Sequence, residues 1–159
     1  MHEILDLLQN NSRLTAAQIA VLTGRKEQEV KTMIEKLEAD KTIIKYFTLI
    51  NWEKAGVEKV SALIEVKMAP QRDVGFDAVA ERIYRFPEVK TVHLMSGAYD
   101  LAVLVEEVTM KEVAMFVATK LATIENVLST ATHFVLKTYK QNGFILEDKE
   151  SNKRLVVTP

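Results

Sequence analysis

The chain contains no cysteine, so it can form no disulfide, carries no thiol nucleophile and offers no cysteine metal site. A reducing compartment suits that composition. No stretch of about 18 apolar residues occurs anywhere, so no membrane-spanning helix is expected. The opening Met1-His2-Glu3-Ile4-Leu5-Asp6 is acidic and lacks the basic stretch of a secretory signal, which points to the cytoplasm. A dominant sign of charge is missing as well. Against 21 Lys and Arg stand 22 Asp and Glu, a net charge of −1. That balance argues against a protein that coats polyelectrolytes, yet a small basic face fits on a neutral chain. Signatures of catalysis are also absent. There is no Gly-x-Ser-x-Gly elbow, no glycine-rich phosphate loop and no His-x-x-x-His pair beside its three histidines. No repeat or low-complexity segment interrupts the sequence. What remains is 159 residues, 48% hydrophobic and 27% charged, enough for one larger globular domain or two small ones.

The order of hydrophobic periods favours two. Ile4, Leu7 and Leu8 share a face at i, i+3, i+4, which predicts a helix over residues 2–10. Thr15-Ala16-Ala17-Gln18 is a capping box that opens a second helix, closed by Gly24. A third helix spans 26–39 with Val30, Met33, Ile34 and Leu37 as its apolar stripe. Two short helices, a glycine turn and a longer helix form a helix-turn-helix, winged-helix-like, over residues 1–44. Residues 43–50 are β-rich and read as a strand leaving that unit, within a linker strand set at 45–57. From 58 to 159 the predicted order is β-α-β-β-α-β, with strands at 60–68, 89–95, 101–105 and 127–140, and a second capping box at Thr109-Met110-Lys111-Glu112. The fold class is therefore α+β: a helix-turn-helix followed by a ferredoxin-like sandwich. Phe144-Ile145-Leu146 and Leu155-Val156-Val157 flank a charged stretch and predict a C-terminal hairpin.

Two constellations carry chemistry. With its apolar stripe inward, the third helix and the turn before it present Arg25, Lys26, Gln28, Lys31, Thr32, Glu35 and Lys36 outward. Arginine, lysine, glutamine and threonine reach phosphates and base edges in a major groove. Gln28 and Thr32 are the base-contact candidates, and Arg25, Lys26, Lys31 and Lys36 the phosphate candidates. A solvated face with pairs such as Glu27–Lys31 is the plainer alternative; residues 1–50 hold seven Lys and Arg against seven Asp and Glu. The second constellation is Gly97-Ala98-Tyr99-Asp100. Backbone N–H groups beside a glycine can face an anion, Asp100 can meet an ammonium, and Thr130 and Thr132 alternate onto one face of the last strand. Such a set suits a free amino acid; a tight turn capped by Asp100 is the alternative. In the usual 4-1-3-2 strand order, His93 and His133 sit on opposite edges and cannot act together in one subunit. No catalytic residue, metal site or cofactor is expected.

The residues resemble the Lrp/AsnC (feast/famine) transcription regulators from about Leu5 to about Gln141. The most specific part is Val92-His93-Leu94-Met95-Ser96-Gly97-Ala98-Tyr99-Asp100-Leu101, similar to that family's strand and Gly-x-Tyr-Asp turn. Val30 to Glu38 with Ile43-Ile44-Lys45-Tyr46 is similar to its recognition helix and following strand, and Thr130 with Thr132 meets a Thr-x-Thr pattern. Met33 departs from an arginine usual in the family, and Asp40-Lys41 from a glycine that tends to close the helix. The resemblance implies a regulator that binds double-stranded DNA as a homodimer or higher homo-oligomer. It implies an amino-acid or small-molecule effector held near Gly97, Tyr99, Asp100, Thr130 and Thr132. The competing reading is a small-molecule-binding oligomer, or an enzyme, whose helical unit makes protein contacts only.

Overall fold

A computed structural model describes residues 1–69 and 75–146 and divides the chain into two compact units, Met1–Ile50 and Asn51–Pro159. The first holds α1 (His2–Asn10), α2 (Ala16–Thr23) and α3 (Glu27–Ala39). The capping box forms in full: Thr15 Oγ1 accepts from the Gln18 N–H at 3.2 Å, and Gln18 Oε1 accepts from the Thr15 N–H at 2.9 Å. Two donors that a helix start leaves orphaned are thereby satisfied. Gly24 closes α2 at φ +66°, in the left-handed region. α3 ends by other means. Lys41, a residue with a Cβ, takes φ +64° there, and Asp40 accepts the Thr42 N–H at 2.9 Å. Hydrogen bonds from the Thr42 hydroxyl and N–H, helped by Lys36, hold the Asp40 carboxyl below the ordinary carboxylate range. The core of this unit is Ile4, Leu8, Ile19, Ala20 and Val30, with Leu37 buried as well.

Replacing Thr15 by alanine removes the hydroxyl half of the capping box and is expected to destabilise this unit by about 1 kcal/mol. A lowered denaturant midpoint by far-ultraviolet circular dichroism checks it; an unchanged midpoint would show that the box contributes nothing.

Residues 43–50, expected as a strand, form no ladder with any described residue. Extended backbone becomes a strand only by pairing. Here Ile44 and Phe47 stay exposed.

The second unit holds β1 (Val60–Met68), α4 (Phe76–Tyr84), β2 (Val89–Leu94), β3 (Leu101–Glu107), α5 (Met110–Phe116) and β4 (Val127–Phe134). α5 starts from a complete capping box at Thr109 and Glu112 and runs on as a π turn over Val117–Leu121. The sheet is antiparallel in the order β2-β3-β1-β4, the ferredoxin-like arrangement, and His93 and His133 lie on its opposite edges. Alternate residues Ala62, Ile64, Val66, Leu101, Val103 and Val105 face the helices, where Val79, Ile83, Val113, Phe116 and Leu121 complete the core. The intervening set, with Leu63, Glu65, Ala102, Leu104 and Ala131, faces the other way.

β4 is shorter than its composition predicts. It stops at Phe134, opposite Ala62, because β1 begins at Val60 and offers no further ladder. A short hairpin follows β4 as well. Lys140–Gln141 pair with Phe144–Ile145 around Asn142 (φ +49°) and Gly143 (φ +88°), the two positive φ values that a two-residue Asn-Gly turn demands. The partner strand expected at Leu155-Val156-Val157 lies outside the described residues.

Candidate functional site

α3 turns Val30 and Leu37 inward and half-buries Met33 and Ile34, which leaves Lys26, Gln28, Lys31, Thr32, Glu35 and Lys36 exposed along its outer side. Lys26 is the N-cap and makes no side-chain cap bond. Arg25 follows the glycine turn, where its own N–H returns to the Ala20 carbonyl at 3.0 Å. Its guanidinium is not free: Nη1 donates to Glu29 Oε1 at 2.8 Å, and the inward Nε has no partner among the described residues. Lys31 is likewise paired, its Nζ lying 2.7 Å from Glu27 Oε1. Thr32 donates its hydroxyl to the Gln28 carbonyl at 3.1 Å, so toward a ligand it presents an acceptor and a methyl group. The structure thus places Gln28, Lys31, Thr32 and Lys36 along the exposed side of α3, with Arg25 and Lys26 in the turn and cap before it. It adds two carboxylates, of which Glu29 was missed; the i, i+4 spacing from Arg25 was the available signal.

Tyr46 also anchors on this unit. Its hydroxyl donates to Glu38 Oε1 at 2.8 Å, and burial together with that carboxylate pushes its pKa up to about 12.

In the second unit the Gly97–Asp100 turn joins β2 to β3 and is closed by the Met95 N–H donating to the Asp100 carbonyl at 2.8 Å. Gly97 does not use the left-handed region, and a Cβ there would meet nothing within 4 Å. Within the single chain neither conformation nor space requires a glycine at that position. Asp100 is tied to β1 twice: its N–H donates to the Val66 carbonyl at 3.0 Å, and its Oδ2 accepts the Met68 N–H at 2.7 Å. That second bond falls just past the last β1–β3 pair, Val66 with Leu101; a backbone donor that the ladder no longer serves is captured by the carboxylate. Val66 pairs with Leu101 on one side and Thr130 on the other. The turn and Thr130 therefore converge on one end of β1, two strand spacings or about 10 Å apart. Thr132 lies opposite Ile64, so both threonines are on the side the helices cover, half-buried at the edge. Tyr99, next to Asp100 in the chain, is half-buried. Met68 and Val66, as the backbone partners of Asp100, carried no signal in the sequence.

The described residues contain no cluster of His, Asp and Glu fit to hold a metal, and no helix long and apolar enough to cross a membrane.

A helix-turn-helix joined to a ferredoxin-like domain defines a class: DNA-binding transcriptional regulators with a ligand-binding domain. The comparisons are specific within it. Residues 61–144 match the Lrp/AsnC ligand binding domain, and residues 2–44 match a winged helix-turn-helix DNA-binding domain. The HTH-type transcriptional regulator YugG of Bacillus subtilis is 52% identical over 158 residues, 99% of this chain and 95% of its own. Among solved structures, a Neisseria meningitidis transcriptional regulator in complex with L-methionine superposes with a TM-score of 0.71 at 24% identity, covering 87% of this chain and 89% of that one. The leucine response regulatory protein of Mycobacterium tuberculosis gives a TM-score of 0.75 at 20% identity, covering 91% and 96%. The chain belongs to the Lrp/AsnC family of transcriptional regulators. It is a DNA-binding regulator and not an enzyme.

Proposed function

We propose that the protein acts in the cytoplasm as a homodimer or higher homo-oligomer whose α3 helices enter the major groove of double-stranded DNA. Gln28 and Thr32 meet base edges, while Arg25, Lys26, Lys31 and Lys36 meet phosphates. Two-fold pairing would set the half-sites about one helical turn apart, or a multiple of it. The sheet face that carries Leu63, Ala102, Leu104 and Ala131 supports such pairing, since these apolar residues stand outside the helix-covered core. An amino acid, or a related small metabolite, binds at Gly97, Tyr99 and Asp100 with Thr130 and Thr132. It shifts the equilibrium between assemblies to the extent that it binds them differently. The observation that carries the DNA arm is that Gln28, Lys31, Thr32 and Lys36 are exposed on α3 opposite its buried stripe, with Lys26 exposed at its N-cap and Arg25 half-exposed in the turn before it. For the effector arm, it is the convergence of Asp100 and Thr130 on Val66, together with the L-methionine bound by the Neisseria relative.

The test is fluorescence anisotropy at fixed salt, with a duplex selected from a random pool by the protein, a scrambled duplex and a panel of amino acids. Preference for the selected duplex, altered by one amino acid, is expected. Changing Lys31 and Lys36 to alanine should weaken binding to both duplexes and reduce the salt slope on the selected duplex by about 2, since each phosphate contact contributes about 0.9. Affinity and slope that ignore the double substitution would remove α3 from the interface.

A further inference from the structure

Of the four predicted phosphate contacts on and before α3, two are already occupied by carboxylates of that helix: Arg25 by Glu29 at 2.8 Å and Lys31 by Glu27 at 2.7 Å. Over residues 25–36 the count is four basic side chains against three acidic ones, Glu27, Glu29 and Glu35. Carboxylates beside these cations oppose the attraction of phosphate. Helix stability is a weak reason for these pairs, because exposed i, i+4 pairs contribute little. Both sit on the first turn and a half, where a recognition helix approaches the duplex.

We propose that Glu27 and Glu29 are specificity-determining residues that suppress indiscriminate DNA binding. The inference rests on the reading above that α3 faces DNA. Non-specific affinity comes from counterions released when a cation neutralises a phosphate. A cation already neutralised by a carboxylate displaces fewer of the counterions condensed on the DNA, and its carboxylate repels the phosphate besides. Only close docking on the correct sequence, where Gln28 and Thr32 reach base edges, repays the exchange of carboxylate for phosphate. Glu29 has a second effect through Arg25. It holds the guanidinium by Nη1 while the buried Nε faces inward, so the remaining donors are presented in one orientation. Lys26 and Lys36 are left to supply the baseline attraction.

The experiment compares wild type with the double variant E27Q/E29Q, which keeps side-chain length and an oxygen acceptor for each cation but removes both charges. A charge-matched control, E53Q/E125Q, removes two exposed carboxylates from the second unit. Binding to the scrambled duplex and to the selected duplex is measured across a salt series. Freeing two cations is expected to steepen the scrambled-duplex salt slope by about 2 and raise that affinity about tenfold at moderate salt. The selected duplex should gain less, so the preference ratio falls several-fold, while the control changes neither. A purely structural role would leave the slope unmoved. The proposal is overturned if E27Q/E29Q keeps the wild-type slope and ratio, if it weakens both duplexes alike, or if the control reproduces its effect. A wild-type protein with no preference for any duplex would instead sink the DNA-binding assignment of α3 and this inference with it, so the two failures are told apart.

Discussion

Ile19→Ala is expected to unfold the first unit at room temperature and abolish DNA binding while leaving the second unit standing. Ile19 is completely buried among Ile4, Leu8, Ala20 and Val30. Removing so large a buried side chain costs about 2–5 kcal/mol, the transfer loss plus the cavity left behind. A unit of 50 residues has only about 2.5–7.5 kcal/mol of stability to lose, at about 0.05–0.15 kcal/mol per residue. The two quantities are of one size, so a single substitution is enough. The two cores share no residue, so the damage should stay local. The one tryptophan, Trp52, makes this easy to see, because it lies in the second unit with Lys59 Nζ 3.9 Å from its ring centroid. Tryptophan fluorescence should melt as in wild type while helical circular dichroism shows an early, separate loss. One coincident, lowered transition by both probes would show that the units unfold together.

Asp100 should respond differently to two substitutions that remove the same charge. Asp100→Ala leaves the Met68 N–H, half-buried just past the last β1–β3 pair, without its acceptor. That is expected to cost about 1–3 kcal/mol of second-unit stability, the penalty for orphaning a buried donor. Asp100→Asn keeps an oxygen for Met68 and should lose about half as much, since a bond to a charged acceptor is about twice as strong as a neutral one. On the proposed effector site, both should weaken the amino-acid response at least tenfold, because neither can meet an ammonium with a full charge. Thermal melts and anisotropy on the same preparations separate the roles. An asparagine protein that is stable and retains the full response would make Asp100 a structural brace and nothing more.

The contrast between these sites shows what the sequence makes legible. Elements closed by local chemistry were readable to within a residue or two. Thr15 with Gln18, Gly24 and Thr109 with Glu112 each satisfy backbone groups a few positions away, and their spacing is the structure. The β-α-β-β-α-β order and the separation of His93 from His133 followed from period and topology. Errors arose where the deciding partner was remote. The end of β4 is set by the start of β1, some seventy residues earlier in the chain, and nothing in residues 127–140 announces it. Residues 43–50 have strand composition without a ladder, since composition describes a preference and pairing requires a neighbour. The Asn142-Gly143 hairpin was the reverse case: a local signal outweighed in the reading by the apolar runs on either side of it. At the candidate sites, residue types located the face of α3, and only geometry revealed that Arg25 and Lys31 are already paired and that Asp100 braces Met68.

The lysine at the end of α3 bears on how a family pattern should be read. Lys41 occupies the left-handed conformation in which glycine is the usual choice at a helix end, at the modest cost any side chain bears there. What this helix end requires is a dihedral angle, and the amino acid is one of several ways to reach it. A search keyed to the glycine would score this helix end as a mismatch. A search keyed to the turn would find it intact. The same distinction applies to Gly97, whose identity neither its dihedral angle nor the space around it explains within one chain. Of the two, position 41 is where a substitution carries little information about function, and position 97 is where it carries more.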